Sequence, residues 1–221
     1  MSFAYGANRA FKRLIQTAEQ FAHSHWPVLI LGETGVGKEL VARFVHDRSS
    51  RARGPFVPIN CAAIPPGLFE SELFGFERGA FSGATVASRG LLRTANHGTL
   101  FLDEIGDLDL PLQVKLLRLM DQGEVRSLGG TRVDKIDVRI VAATNVNLYA
   151  AVSAQRFRQD LLERLAVLTL DVPPLRERPE DIPIIASSLL AQMNGIFEGD
   201  ATPEIHGLAA IMKEVLGPKS E

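Results

Sequence analysis

A single cysteine, Cys61, stands in the 221 residues, so no internal disulfide can form, and its isolation suggests no zinc site. No apolar run approaches the roughly 20 residues that a membrane-spanning helix requires. The N-terminus, MSFAYGANRAFKRL, lacks the charged-then-apolar layout of a secretory signal. An excess of one charge is lacking too: 24 basic and 26 acidic residues leave a net charge of −2, with no long basic run. That argues against gripping DNA or a membrane by electrostatics alone. Internal repeats and low-complexity segments are also missing. The hydrophobic fraction, 46%, is enough for a core, and the length suits one large domain with at most a small appendage. A soluble, cytoplasmic chain is the expectation.

What is present alternates. Phe11, Leu14, Ile15, Ala18 and Phe21 recur at helical spacing, which predicts a helix over about 7–23. Val28-Leu29-Ile30-Leu31 is a short apolar run that reads as a buried parallel strand. Further strands are predicted at Phe56–Ile59, Thr99–Leu102 and Val138–Ala143, and helices at Lys38–Asp47, Pro66–Phe74, Leu110–Gln122 and Arg158–Leu165. Residues 75–90, rich in Gly, Ala and Ser, read as a loop. Alternating strands and helices imply an α/β fold, a parallel sheet sandwiched by helices. Pro173-Pro174 breaks the alternation, and helices over about 179–193 and 203–215 follow. The expected division is an α/β core at 1–171 and a helical subdomain at 172–221.

The strongest motif is Gly32-Glu33-Thr34-Gly35-Val36-Gly37-Lys38, between a predicted strand and a predicted helix. It fits a phosphate-binding P-loop, except that Glu39 stands where the pattern asks for a hydroxyl. In such loops backbone N–H groups and the helix N-terminus face the phosphates, and Lys38 would neutralise them. Asp103-Glu104 closes an apolar strand in the manner of a Walker B motif. Asp103 is the candidate magnesium ligand and Glu104 the candidate base for an attacking water. Thr144-Asn145 ends another strand at the carboxyl edge of the sheet, where ligands bind, although a strand-to-helix cap explains it as simply. Asn60 alone reads as an Asx turn. Spacing alone makes Arg164 a surface partner of Asp160 and Arg158 part of a solvated face. Gly79-Ala80-Phe81-Ser82-Gly83-Ala84 places an aromatic ring in a loop of small residues, either to meet a partner or to fold back on the core. His23 and His25 do not share a helical face, and Cys61 is expected in the core.

The segments GETGVGKE, ELFGFERGAFSGA, GTLFLDEI, VRIVAATN, FRQDLLERL and VPPLRERPEDI occur in this order. Together they closely resemble the AAA+ ATPase domain of sigma-54-dependent transcriptional activators, the bacterial enhancer-binding proteins, of which phage shock protein F is a lone-domain relative. The resemblance covers about residues 5–191, and GAFSGA is its most specific element. It implies an AAA+ P-loop NTPase that hydrolyses ATP with Mg²⁺ to remodel the closed complex of sigma-54 RNA polymerase. Glu39 is usual in that family. Asn60 matches the residue that pairs with the catalytic Glu104, and Thr144 and Asn145 match sensor I. Arg158 and Arg164 match arginine fingers acting on a neighbour's nucleotide, which implies a self-assembled ring, usually a hexamer.

By the same resemblance, residues 79–84 match the loop that engages sigma-54, with Ser82 where the family usually has Thr. Residues 126–134 match a second surface loop that moves with the first. The family's DNA-binding helix-turn-helix has no counterpart, so no sequence-specific DNA binding is expected. The helical lid is expected to be incomplete, without a sensor II residue. The alternative is therefore a module that binds nucleotide and sigma-54 with impaired turnover.

Overall fold

A computed structural model of the chain describes residues 8–188. In chain order the elements are α1 (Arg9–Ala22), β1 (Val28–Leu31), α2 (Lys38–Asp47), β2 (Phe56–Asn60), α3 (Pro66–Phe74), α4 (Leu91–Thr94) and β3 (Thr99–Asp103). There follow α5 (Leu110–Gln122), β4 (Glu124–Arg126), β5 (Val133–Lys135), β6 (Arg139–Thr144), α6 (Leu148–Ser153), α7 (Gln159–Leu165) and β7 (Leu168–Asp171). The predicted strands and helices within these residues are present, with ends shifted by a residue or two. The antiparallel pair β4–β5, the strand β7 and the short helices α4 and α6 were not foreseen. Each is six residues or fewer, too short for periodicity to register.

The main sheet is five-stranded and parallel, in the order β2-β3-β6-β1-β7. The chain leaves β1, builds inward from the far edge, and then places β7 on the other side of β1. β1 is thus the switch point of the sheet, where open α/β folds bind ligands at the carboxyl ends of their strands. Both faces are covered, which is why β1, β3 and β6 read as unbroken apolar runs. Leu29, Leu100, Leu102, Ile140 and Ala142 join a core with Leu112, Leu116 and Leu119 of α5 and Leu161 and Leu165 of α7. By alternation, Val28, Ile30, Phe101 and Val141 face the other way and are buried as well.

Buried Arg139, at the start of β6, ties the sheet to α1. Its guanidinium donates to the carbonyls of Ala22 at 2.9 Å, Phe21 at 2.7 Å and Trp26 at 3.3 Å. The last carbonyls of a helix have no partners within it, so a buried fork of donors satisfies them. Desolvation lowers the pKa of Arg139 to about 10.

The chain divides into two compact units. One is Leu14–Val172 and holds the sheet; the other, among the described residues, joins residues 8–13 to residues 173–188. In the second, the Asn8 amide donates to Asp181 Oδ1 at 3.2 Å, and the Arg178 guanidinium lies 4.3 Å from the Phe11 ring centre. Residues 182–188 are helical, at the start of the helix predicted from 179; the predicted helix over 203–215 lies outside the described residues. Among the described residues no helix is long and apolar enough to cross a membrane.

Candidate active site

The carboxyl ends of β1, β3 and β6 bring the P-loop, Asp103-Glu104 and Thr144-Asn145 together. Gly37 sits at φ 97°, a left-handed conformation that glycine adopts without strain, and it caps α2 with no side chain in the way. The N–H groups of the first turn of a helix have no partner within it, and no side chain caps those of α2. Lys38, 5% exposed, is the first residue of that helix.

Lys38 is tethered at three points. Its Nζ donates to Gly32 O at 3.0 Å, Glu33 O at 3.4 Å and Glu104 Oε1 at 3.0 Å. The other carboxylate oxygen of Glu104 accepts the Asn145 N–H at 3.1 Å. The Asn145 side chain donates onward to Thr34 Oγ1 at 2.9 Å. P-loop, Walker B strand and sensor strand thus form one hydrogen-bonded chain. Glu104 has φ 51° and ψ 49°, left-handed geometry that is uncommon outside glycine, Asn and Asp and marks stored strain.

Thr144 and Asn145 divide their tasks. Thr144 is 1% exposed, and its hydroxyl accepts the Val146 N–H at 3.0 Å, a capping role. Asn145 is exposed and reaches the P-loop. Asn60 is not joined to Glu104. Its Oδ1 accepts from Ala62 and Ala63 N–H at 2.9 and 3.1 Å, the Asx turn that the residue alone suggested. Glu39 is exposed, 3.8 Å from Arg43, in the first turn of α2 where a carboxylate complements the helix dipole.

Asp103 sits beside this network, its Oδ1 accepting the Glu104 N–H at 3.1 Å. Desolvation first, then the neighbouring Glu104 carboxylate, raise its pKa, with Lys38 partly opposing them. Buried Cys61 is pushed to about 12 by desolvation and by Asp103, Asp107 and Glu104, which makes it a poor nucleophile and the core residue that was expected. Among the described residues no cluster of three His, Cys, Asp or Glu side chains could hold a metal ion by itself.

The arginines correct one expectation. Asp160 is taken by Arg158, whose Nε and Nη2 donate to its two oxygens at 3.0 and 2.7 Å. Arg164 reaches across to Asp121, at 2.9 Å, near the end of α5. The i, i+4 rule failed because Arg158, the N-cap of α7, lies closer to Asp160 and offers a planar fork.

The segment Gly79–Ala84 closes on itself, with Gly79 N–H donating to Ala84 O at 2.9 Å. Phe81 rests on Phe76, ring centres 5.0 Å apart, yet is still 42% exposed. It packs inward and also presents a face outward. The base of the loop is tied to the second one: Leu128 N–H donates to Gly75 O at 2.9 Å and Glu77 N–H to Leu128 O at 3.0 Å. Where the loop begins and ends, any Cβ on Gly90 would collide with Gly75 N, so its two arms meet backbone to backbone. Sequence reasoning passed over Gln113, a fully buried amide on the same face of α5 as Leu112 and Leu116. A glutamine within an apolar stripe was the available signal.

Comparison with known proteins agrees with this geometry. The family model for the sigma-54 interaction domain matches residues 4–171. The sigma54-dependent transcriptional activator SfnR of Pseudomonas putida is 56% identical over 169 residues, 76% of this chain and 46% of that protein. The transcriptional regulatory protein XylR of Pseudomonas putida is 51% identical over 188 residues, 85% of this chain and 33% of that protein. The chain therefore spans from a third to just under half the length of these relatives. NtrX from Brucella abortus in complex with ATP superposes with a TM-score of 0.80 at 40% identity, over 86% of this chain and 41% of that one. On sequence and structure together, this chain belongs to the sigma-54 interaction domain family and has its AAA+ P-loop NTPase fold.

Proposed function

We propose that the chain binds and hydrolyses ATP and uses the energy to remodel sigma-54 RNA polymerase at closed promoters, in the bacterial cytoplasm. The observation that carries the reading is the convergence of Lys38, Glu104 and Asn145 on the end of β1 through contacts of 3.0 and 3.1 Å. Residues 1–171 are assigned to the ATPase core and 172–221 to a helical lid.

The nucleotide phosphates lie along Gly32–Lys38 and the N-terminus of α2, where backbone N–H groups and the helix dipole favour anions. Lys38 exchanges its bond to Glu104 for the phosphates. Glu104 is then available to take a proton from the attacking water, with Asn145 beside it as sensor. The donor set suits magnesium: Asp103 is a single, partly desolvated carboxylate, and magnesium commonly uses one or two carboxylates together with substrate phosphates. Asp103 would hold the ion, which neutralises charge on the phosphate oxygens when bound. Asn60, one strand away at the Asp103 register, holds Glu104 in an alternative position once the Asx turn opens.

Arg158 and Arg164 act on the nucleotide of the adjoining subunit in a homo-oligomeric ring. Residues 79–84 meet sigma-54, with Phe81 as the contact ring and Ser82 supplying a hydroxyl. The ladder through Leu128 moves the second loop with the first.

Phosphate release measured against protein concentration tests the reading. A specific rate that climbs steeply with concentration, and is lost in Glu104→Gln, is expected of an assembling ATPase. Turnover that persists in Glu104→Gln under the same conditions removes Glu104 as the base.

A further inference from the structure

Gln113 is fully buried among the leucines of α5, where an amide is costly unless its hydrogen bonds are met. They are met, all by backbone. Its Nε2 donates to Leu108 O at 2.6 Å and to Arg156 O at 3.0 Å, and its Oε1 accepts the Arg158 N–H at 2.8 Å. A methionine would fill similar space with no polar atoms to satisfy. The amide therefore does a task that volume alone cannot.

The two ends of this clamp matter. Leu108 ends the 3₁₀ turn Ile105–Asp107, whose first flanking residue is Glu104. Arg158 is the N-cap of α7, and no side-chain cap orders that helix end, so the Gln113 carbonyl fixes where Arg158 leaves the chain. Arg164, on α7, is held to α5 through Asp121. α5 thus bears on both arginines, and Gln113 links one of them to the segment that carries Glu104.

We propose that Gln113 is a positioning residue: it sets the backbone of Arg158 for action on the neighbouring subunit. The proposal rests on the reading of Arg158 as an arginine acting in trans. The side chain touches no nucleotide itself; it works through the backbone at 156–158.

The test is a mixing experiment with Gln113→Met. Alone, the variant is expected to bind Mg-ATP as the parent does when dilute, and to lose about 10- to 100-fold in turnover at assembling concentrations, the scale of a 1 Å misplacement. Glu104→Gln subunits lack the base but keep their arginines. Mixed with Gln113→Met subunits they complete sites in which each supplies what the other lacks. Turnover above the sum of the separate proteins supports the proposal; a simple sum overturns it. Arg158→Ala mixed with Glu104→Gln is the control. If the control gives no gain, the trans-arginine reading has failed and the proposal falls with it. If the control gains and the Gln113→Met mixture does not, the proposal alone has failed. Hydrogen exchange is the second readout: the Arg158 amide is expected to exchange faster in Gln113→Met while the amides of β3 and β6 do not. Unchanged exchange at Arg158 overturns the clamp. Should Gln113→Met fold poorly, Gln113→Asn, one methylene short of its carbonyl partners, gives the same arms.

Discussion

Glu104 occupies the ammonium that the phosphates need, and removing its charge should tighten nucleotide binding. Lys38 Nζ lies 3.0 Å from Glu104 Oε1, with the two side chains 5% and 14% exposed. A hydrogen bond between charged groups in such surroundings is worth about 1.5–3 kcal/mol net. Incoming phosphate must break it. Glu104→Gln keeps an acceptor for Lys38 but not the charge, so about half of that cost is removed. The expected gain is ~0.8–1.5 kcal/mol, about 4- to 12-fold in affinity. The same substitution leaves a buried ammonium short of its counter-ion, so the nucleotide-free protein should melt lower. The assay is calorimetric titration of dilute protein with a non-hydrolysable ATP analogue, alongside thermal melts with and without ligand. Glu104→Gln should show a lower melting point alone and a larger upward shift with the analogue. Equal or weaker affinity would refute the reasoning, because the Lys38–Glu104 contact would then not compete with phosphate.

Asp103→Asn should abolish turnover yet stabilise the nucleotide-free chain. The raised pKa means the folded state binds a proton more tightly than the unfolded one, so the penalty is absent well below the ordinary value of 3.8 and sets in as pH rises through the raised value. Melting points at pH 7 should be higher for Asp103→Asn, and a lower one would contradict the assignment. Arg139→Met strips the Phe21 and Ala22 carbonyls at the end of α1, and the Trp26 carbonyl beyond it, of their donor and should cost about 2–4 kcal/mol in denaturant unfolding. Cys61, held to about 12, should resist iodoacetamide at pH 8 until the protein is unfolded; rapid alkylation of the native chain would show the thiol to be accessible.

The parts of the fold that were legible share a physical cause. β1, β3 and β6 are buried on both faces, so their apolar runs stand out against the periodic stripes of α1, α5 and α7. β4, β5 and β7 are three or four residues long, too short for a period to register, and β7 is held by β1 from far earlier in the chain, which no local pattern reports. The GAFSGA loop was visible by composition, but its support was not, since Leu128 pairs with Gly75 across more than fifty residues.

By itself the sequence determined the chemical inventory. Glycine spacing, Lys38, Asp103-Glu104 and Asn145 sit in contiguous strings, where backbone conformation and residue order suffice to set their character. Tertiary structure alone decided the pairings. It joined Glu104 to Lys38 and left Asn60 in its own turn, gave Arg164 to Asp121, and made Gln113 a bridge between β3's exit and α7's start. These contacts depend on which elements the sheet order brings side by side, and a polar side chain takes the partner nearest in space rather than in sequence.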